Sequence, residues 1–198
     1  MRKIGIIDVG YGNVSSIANY FSNDESYKVE TITDCGQIYS CDLIVLAGVG
    51  TFGNAMQKIN ETLFLKTIKE YHQKNGKILG ICLGLQLFYE HSEETLGVTG
   101  LGLLQGQVVR NHEDNSTIGW STLESVDNHI PHRYFFSHTY HVQPFDVSTV
   151  FAIARETKYP AIIRKNNILG FQFHPEKSQT GGKFLLSNTI KNFLLGQL

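Results

Sequence analysis

Lys77-Ile78-Leu79-Gly80-Ile81-Cys82-Leu83-Gly84 reads as a buried strand that turns directly into a helix through a Gly-x-Cys-x-Gly corner. This is a nucleophile elbow with cysteine in the position that serine more often holds. Such a corner is too tight for side chains two residues either side of the nucleophile, so Gly80 and Gly84 are steric requirements rather than ornaments. The helix expected from Gly84 onward places free N–H groups and a dipole beside Cys82, which favours a thiolate over a thiol. A free cysteine is more often a buried structural residue, but the two glycines argue against that for Cys82. Cys35 and Cys41 lack such surroundings and read as inert.

Upstream of the elbow, short β-branched runs alternate with helical patterns. Lys3 to Asp8, Lys28 to Ile32 and Leu43 to Leu46 read as strands, Asn13 to Phe21 as a helix. Leu63 to Lys74 carries Phe64, Ile68 and Tyr71 at helical spacing and is stopped by Asn75-Gly76. This alternation predicts a parallel sheet with crossover helices. Beyond Ser92 the pattern changes to short extended runs: Val108-Val109, Thr122-Leu123, Tyr134 to Val142, Phe151 to Arg155 and Ala161 to Arg164. Asn166-Asn167 marks a tight hairpin, and an amphipathic helix spans Lys183 to Leu195. The expected fold is α/β, a mixed and mainly parallel central sheet flanked by helices, with additional antiparallel strands in the second half. With neither linker nor repeat, residues 1–198 read as one domain.

Composition narrows the function. A net charge of -1 and the lack of a basic stripe give no footprint for nucleic acid. The three cysteines form neither a disulfide framework nor a zinc spacing, which suits a reducing cytoplasm. Met1-Arg2-Lys3 before Ile4 to Ile7 imitates a signal peptide, but Asp8 interrupts it and no cleavage site follows. The longest apolar stretch, Ile78 to Tyr89, contains Gly80, Gly84 and Gln86 and is too short to span a bilayer. His129, His132, His138 and His141 have spacings that resemble zinc ligand pairs. A continuous strand would put His138 and His141 on opposite faces, and His129 and His132 flank Pro131 in a loop, so no metal is expected.

A thiolate needs a proton donor and acceptor. Gly170-Phe171-Gln172-Phe173-His174-Pro175-Glu176-Lys177-Ser178 supplies one: a strand ending in a histidine, with a carboxylate two residues on that can bond one imidazole nitrogen and leave the other for the cysteine. Leu46-Ala47-Gly48-Val49-Gly50-Thr51-Phe52-Gly53 follows a buried strand without the spacing of a dinucleotide or phosphate loop. A glycine loop there can turn N–H groups toward a developing oxyanion, each worth about 10²–10³ in rate.

Ile7-Asp8-Val9-Gly10-Tyr11-Gly12-Asn13, Gly48 to Phe52, Gly80 to Gln86 and Gly170 to Ser178, in this order over nearly the whole chain, resemble the class I (triad) glutamine amidotransferases. Among these they are most similar to the glutaminase subunits of imidazole glycerol phosphate synthase, a resemblance shared by Gly119-Trp120 and Phe136-Ser137-His138-Thr139-Tyr140. The resemblance implies a Cys82–His174–Glu176 triad that hydrolyses L-glutamine through a glutamyl thioester, without a cofactor. It implies an oxyanion and glutamine site at Gly48, Val49, Gly50, Leu83, Gln86, Thr139 and Tyr140. It also implies a heterodimer with a (β/α)₈ cyclase that receives the ammonia, with Asn13, Trp120 and Lys177 at the interface. The chain departs from the family pattern at Ala47 (usually proline), Ser121 (asparagine) and Thr139 (serine). Paralogous glutaminase subunits that supply ammonia for amidino sugars of surface polysaccharide share the motifs, and an independent cysteine hydrolase would share the elbow.

Overall fold

The computed structural model describes residues 1–8, 10, 13–48, 50–112, 116–125 and 130–197. In chain order the first half gives β1 (Arg2–Ile7), α1 (Val14–Ser22), β2 (Tyr27–Ile32), β3 (Leu43–Gly48), α2 (Phe52–Asn60), α3 (Phe64–Gln73), β4 (Lys77–Cys82) and α4 (Leu83–Gln86). The second half gives β5 (His91–Ser92), β6 (Gly106–Arg110), β7 (Thr117–Glu124), β8 (Arg133–His138), β9 (Tyr140–Pro144), β10 (Val150–Ala154), β11 (Pro160–Lys165) and β12 (Ile168–Phe171). A 3₁₀ turn at Pro175–Lys177 leads into α5 (Gln179–Leu185), a π-helical turn and α6 (Lys191–Leu195), one continuous helical segment where a single helix is expected.

Among the described residues nine strands form the main sheet, in the order β2-β1-β3-β4-β12-β11-β10-β7-β8. From β2 to β12 every pairing is parallel, and from β12 to β8 every pairing is antiparallel. The second-half strands therefore extend the crossover sheet rather than forming a separate layer, except that β5, β6 and β9 make a small sheet of their own. The Asn166-Asn167 hairpin is present, with Lys165 paired to Ile168 and Asn166 at φ +51°.

Strand alternation sorts the core onto two faces. Leu43, Val45, Leu79, Leu169 and Phe171 pack with Ile17, Phe21, Leu185 and Phe193 on one side. Ile44, Leu46, Ile78 and Ile168 pack with Met56, Ile59, Phe64 and Ile68 on the other. Helix α2 is an element the sequence pattern did not reveal; its start is defined by the Thr51 hydroxyl, which accepts the Asn54 N–H.

Two expectations need correcting. The extended run from Tyr134 to Val142 is two strands, β8 in the main sheet and β9 in the small one, with the chain changing sheets at Thr139. β8 pairs with β7 and β9 with β6, so the run is divided between two sheets. Hence alternation along a strand does not separate His138 from His141. Both are buried, His141 Nδ1 is bonded to Asn111 Oδ1 at 3.0 Å, and among the described residues no set of three His, Cys, Asp or Glu side chains is placed to hold a metal. His132 is exposed, while His129 lies outside the described residues.

Candidate active site

The elbow takes the conformation its glycines permit. Cys82 sits at φ +52°, ψ −108°, a region that a side chain bearing Cβ enters only under constraint. A Cβ on Gly80 would lie 2.6 Å from the Leu85 nitrogen, and one on Gly84 would lie 1.9 Å from the Leu46 carbonyl oxygen. Gly170 serves the same packing from the neighbouring strand, where a Cβ would meet Leu85 Cδ1 at 2.4 Å. The chain after the nucleophile thus lies directly on β3, β4 and β12. Helix α4 contains only Leu83 to Gln86. So few aligned peptides make little macrodipole, and the expected contribution to the thiolate reduces to the free N–H groups of this first turn.

Parallel pairing of β12 with β4, including Phe171 opposite Ile81, carries the chain beyond β12 alongside the elbow. His174 Nδ1 donates to Glu176 Oε1 at 2.8 Å, and both side chains are nearly inaccessible. Burial alone would lower the His174 pKa, but hydrogen bonding and charge from Cys82 and Glu176 together outweigh it and raise it to about 9. The buried pair therefore favours the imidazolium form of His174.

Ser178 fixes the strap that carries this pair. Its hydroxyl donates to the His174 carbonyl at 2.5 Å and accepts the Phe135 N–H at 3.0 Å, while the His174 N–H donates to the Phe135 carbonyl at 2.8 Å. From the other side, Tyr20 of α1 donates to the Gly182 carbonyl at 2.8 Å. The Tyr20 pKa is raised well above its ordinary value by burial and then by the Glu176 charge, which places this phenol in the carboxylate's field.

Cys82 and His174 open on a cavity of about 270 Å³, also lined by Gly48, Gly50, Leu83, Gln86, Glu94, Ser137, His138, Thr139, Tyr140 and Lys177. The sheet-switching corner at Thr139 forms one wall, and Gln86 Nε2 donates across it to the Tyr140 carbonyl at 2.8 Å. Asn111 supports that corner: its N–H bonds the Thr139 carbonyl and its side-chain amide bonds the His138 carbonyl. The Ser137 carbonyl lies 3.9 Å from the Cys82 sulfur.

Every described residue expected at the triad, oxyanion or glutamine site contributes to this cavity, with Glu176 behind His174; Val49 lies outside the described residues. Asn13, the N-cap of α1, and Trp120 on β7 do not line it, whereas Lys177, also expected at a partner surface, does. Glu94 was not anticipated. An acidic pair, Glu93-Glu94, in a polar loop gives no local sequence signal, and only the fold brings Glu94 to the cavity that Cys82 lines.

A cysteine on a strained strand–helix corner, backed by a buried histidine–carboxylate pair at the carboxyl edge of a parallel sheet, belongs to a defined class. The chain is a member of the glutamine amidotransferase class-I family, whose model matches residues 5–193. Within that class the chain is similar in sequence to subunits of imidazole glycerol phosphate synthase. Imidazole glycerol phosphate synthase subunit HisH of Oceanobacillus iheyensis is 39% identical over 193 residues, covering 92% of this chain and 96% of the relative. HisH of Methanocaldococcus jannaschii is 34% identical over 200 residues, covering 95% and 98%. The fold is also that of a glutamine amidotransferase crystal structure (TM-score 0.78, 15% identity, 98% of each chain). PurLQS from Thermotoga maritima shares it as well (TM-score 0.77, 17% identity, 98% of this chain and 100% of that one).

Proposed function

We propose that this chain is the glutaminase subunit of an imidazole glycerol phosphate synthase. It hydrolyses L-glutamine to glutamate and ammonia and passes the ammonia to a (β/α)₈ cyclase partner in histidine biosynthesis. The observation that carries this reading is Cys82, held at φ +52° in the same small cavity as His174, which Glu176 backs in a buried pair.

In this mechanism the Cys82 thiolate attacks the side-chain amide carbon of glutamine, and the negative charge moves to the former carbonyl oxygen. The Leu83 N–H after the nucleophile and an N–H of the glycine loop, from Val49 or Gly50, receive it. Collapse breaks the C–N bond as the His174 imidazolium gives its proton to the departing nitrogen, leaving ammonia and a glutamyl thioester. His174, now neutral, takes a proton from water, whose oxygen attacks the thioester to release glutamate and the thiolate. Glu176 keeps the proton-bearing Nδ1 turned away from the reaction, so Nε2 does the exchanging.

Glu94 is the only carboxylate lining the cavity among the described residues, which suits it to the substrate ammonium, while Gln86 and the Thr139-Tyr140 backbone flank the remainder of the amino acid. Asn13, Trp120 and Lys177 face the cyclase. Ammonia must reach its acceptor without meeting bulk water, because ammonium has no lone pair with which to attack. No helix among the described residues is long and apolar enough to cross a membrane. Three free cysteines suit the cytoplasm as the site of this chemistry.

The test is glutamate release by wild type and Cys82→Ala, each alone and with the genome-neighbouring cyclase plus its nucleotide ligand. Cysteine-dependent release that rises with the histidine-pathway cyclase is the expected result. Indifference to that cyclase would redirect the ammonia to another acceptor such as an amidino sugar, and no release under any condition would refute the glutaminase.

A further inference from the structure

The start of α2 shows how the glycine loop is held. The first N–H groups of a helix have no partners within it and must find them elsewhere. Here the Phe52 N–H donates to Glu94 Oε2 at 2.6 Å, the Gly53 N–H to Thr95 Oγ1 at 3.2 Å, and the Asn54 N–H to Thr51 Oγ1 at 3.3 Å. Two of these three acceptors come from a segment some forty residues away in sequence, and one of the two also lines the cavity. Helix α2 begins where Gly48 to Thr51 end, so its cap is the downstream anchor of that loop. The upstream anchor is β3, paired to the elbow through Gly48 and Cys82.

The anchor is firm on both sides. The Phe52 ring is fully buried, and a Cβ on Gly53 would lie 2.6 Å from Thr95 Cγ2, so α2 and the 94–95 segment are in close contact. The segment is itself tied down: the Glu93 N–H donates to the Val108 carbonyl at 2.9 Å, the Glu94 N–H to Ser92 Oγ at 3.2 Å, and the Arg110 N–H to Glu93 Oε2 at 2.7 Å.

We propose that Glu94 is a positioning residue for the glycine loop, one side chain that faces the substrate and fixes the loop supplying an oxyanion donor. The inference rests on the glutaminase reading and extends it. A carboxylate offers two oxygens, so the one not bonded to Phe52 can accept a substrate ammonium while the cap stays in place. Substrate seated on Glu94 is then registered against the same helix end that sets the loop, and Thr95 shares the positioning task without lining the cavity.

Steady-state glutamine hydrolysis, with partner bound, separates the two roles. Glu94→Gln keeps a capping oxygen but loses the charge, so KM should rise about tenfold while kcat stays within about twofold of wild type. Glu94→Ala loses both, so kcat should fall about 3- to 10-fold in addition to the KM change. Thr95→Val removes the second cap alone and should lower kcat about threefold with KM unchanged, which loss of a merely stabilising contact would not do. Wild-type kcat in both Glu94→Ala and Thr95→Val would overturn the proposal, as would a Glu94→Gln kcat as low as that of Glu94→Ala. If Glu94→Ala fails to fold, Thr95→Val decides: a kcat loss at constant KM supports the positioning role and wild-type kcat overturns it. Wild type that releases no Cys82-dependent glutamate would instead refute the glutaminase itself, so the two failures are distinct.

Discussion

Cys82 carries a backbone strain of about 1–3 kcal/mol that the rest of the fold must offset. The flanking glycines made that corner legible in sequence, and His174-Pro175-Glu176 gave the second half of the site because its members are near neighbours along the chain. Glu94 and Asn111 were invisible for the opposite reason, since their roles exist only once distant segments meet. The triad's pH behaviour follows from its environment. His174 has a folded pKa of about 9 against an ordinary 6.5, so the paired imidazolium contributes to stability fully below pH 6.5 and the contribution is lost as pH rises through 9. Because the departing ammonia needs that proton, kcat/KM should fall on an alkaline limb near pH 9. Glu176→Gln removes one of the charges raising the pKa and should move the limb to lower pH, which a pH–rate profile measures. Ser178→Ala should leave the part-buried Phe135 N–H without its partner at a cost of about 1 kcal/mol and loosen His174. Urea denaturation would register the first effect and a lower kcat the second.

The first-half strands and the helices α1 and α3 were readable because each buries a continuous apolar run or a clear helical stripe. Thr139 was not, because nothing local distinguishes a nine-residue extended run from two shorter strands whose partners lie in different sheets. That missed break is functional: the carbonyls left at the corner form a wall of the cavity and are held by Asn111 and Gln86. Helix α2 was missed although Thr51 caps it locally, because two more of its first N–H groups are satisfied only by Glu94 and Thr95, far away in sequence. At this scale the elbow depends on contact between elements. Gly84→Ala would drive a methyl into the Leu46 carbonyl, against backbone that cannot turn aside, so α4 must lift from β3. The expected cost is about 1–3 kcal/mol or more in chemical denaturation, with loss of glutaminase activity because Leu83 moves with the helix. Gly97→Ala, at an exposed left-handed turn with open space around it, should keep its activity and lose only a smaller amount of stability to strain.

Across the whole molecule, the parallel half of the main sheet carries Cys82 and the antiparallel half supplies a surface. Strand β8 forms the sheet edge beside β7, and Ile118 and Trp120, two residues apart, project from the same face of β7 with 70% and 36% of their surfaces exposed. The other face is buried through Ser121 and Leu123, and the Ser121 hydroxyl is bonded within the chain to Glu156 and the Thr122 carbonyl. Trp120 is also tied toward the site: its ring meets Phe135 edge-on at 5.7 Å between centroids, and the Phe135 backbone brackets the His174–Ser178 strap. An exposed tryptophan with an isoleucine beside it, on a hairpin that reaches His174, is where a partner would gain most by burying surface. Trp120→Ala should therefore weaken cyclase binding by about 2 kcal/mol or more in titration calorimetry, while Cys82-dependent hydrolysis by the isolated subunit stays at its wild-type level. Equal affinity for wild type and variant would move the interface away from β7 and leave the chemistry at Cys82 untouched.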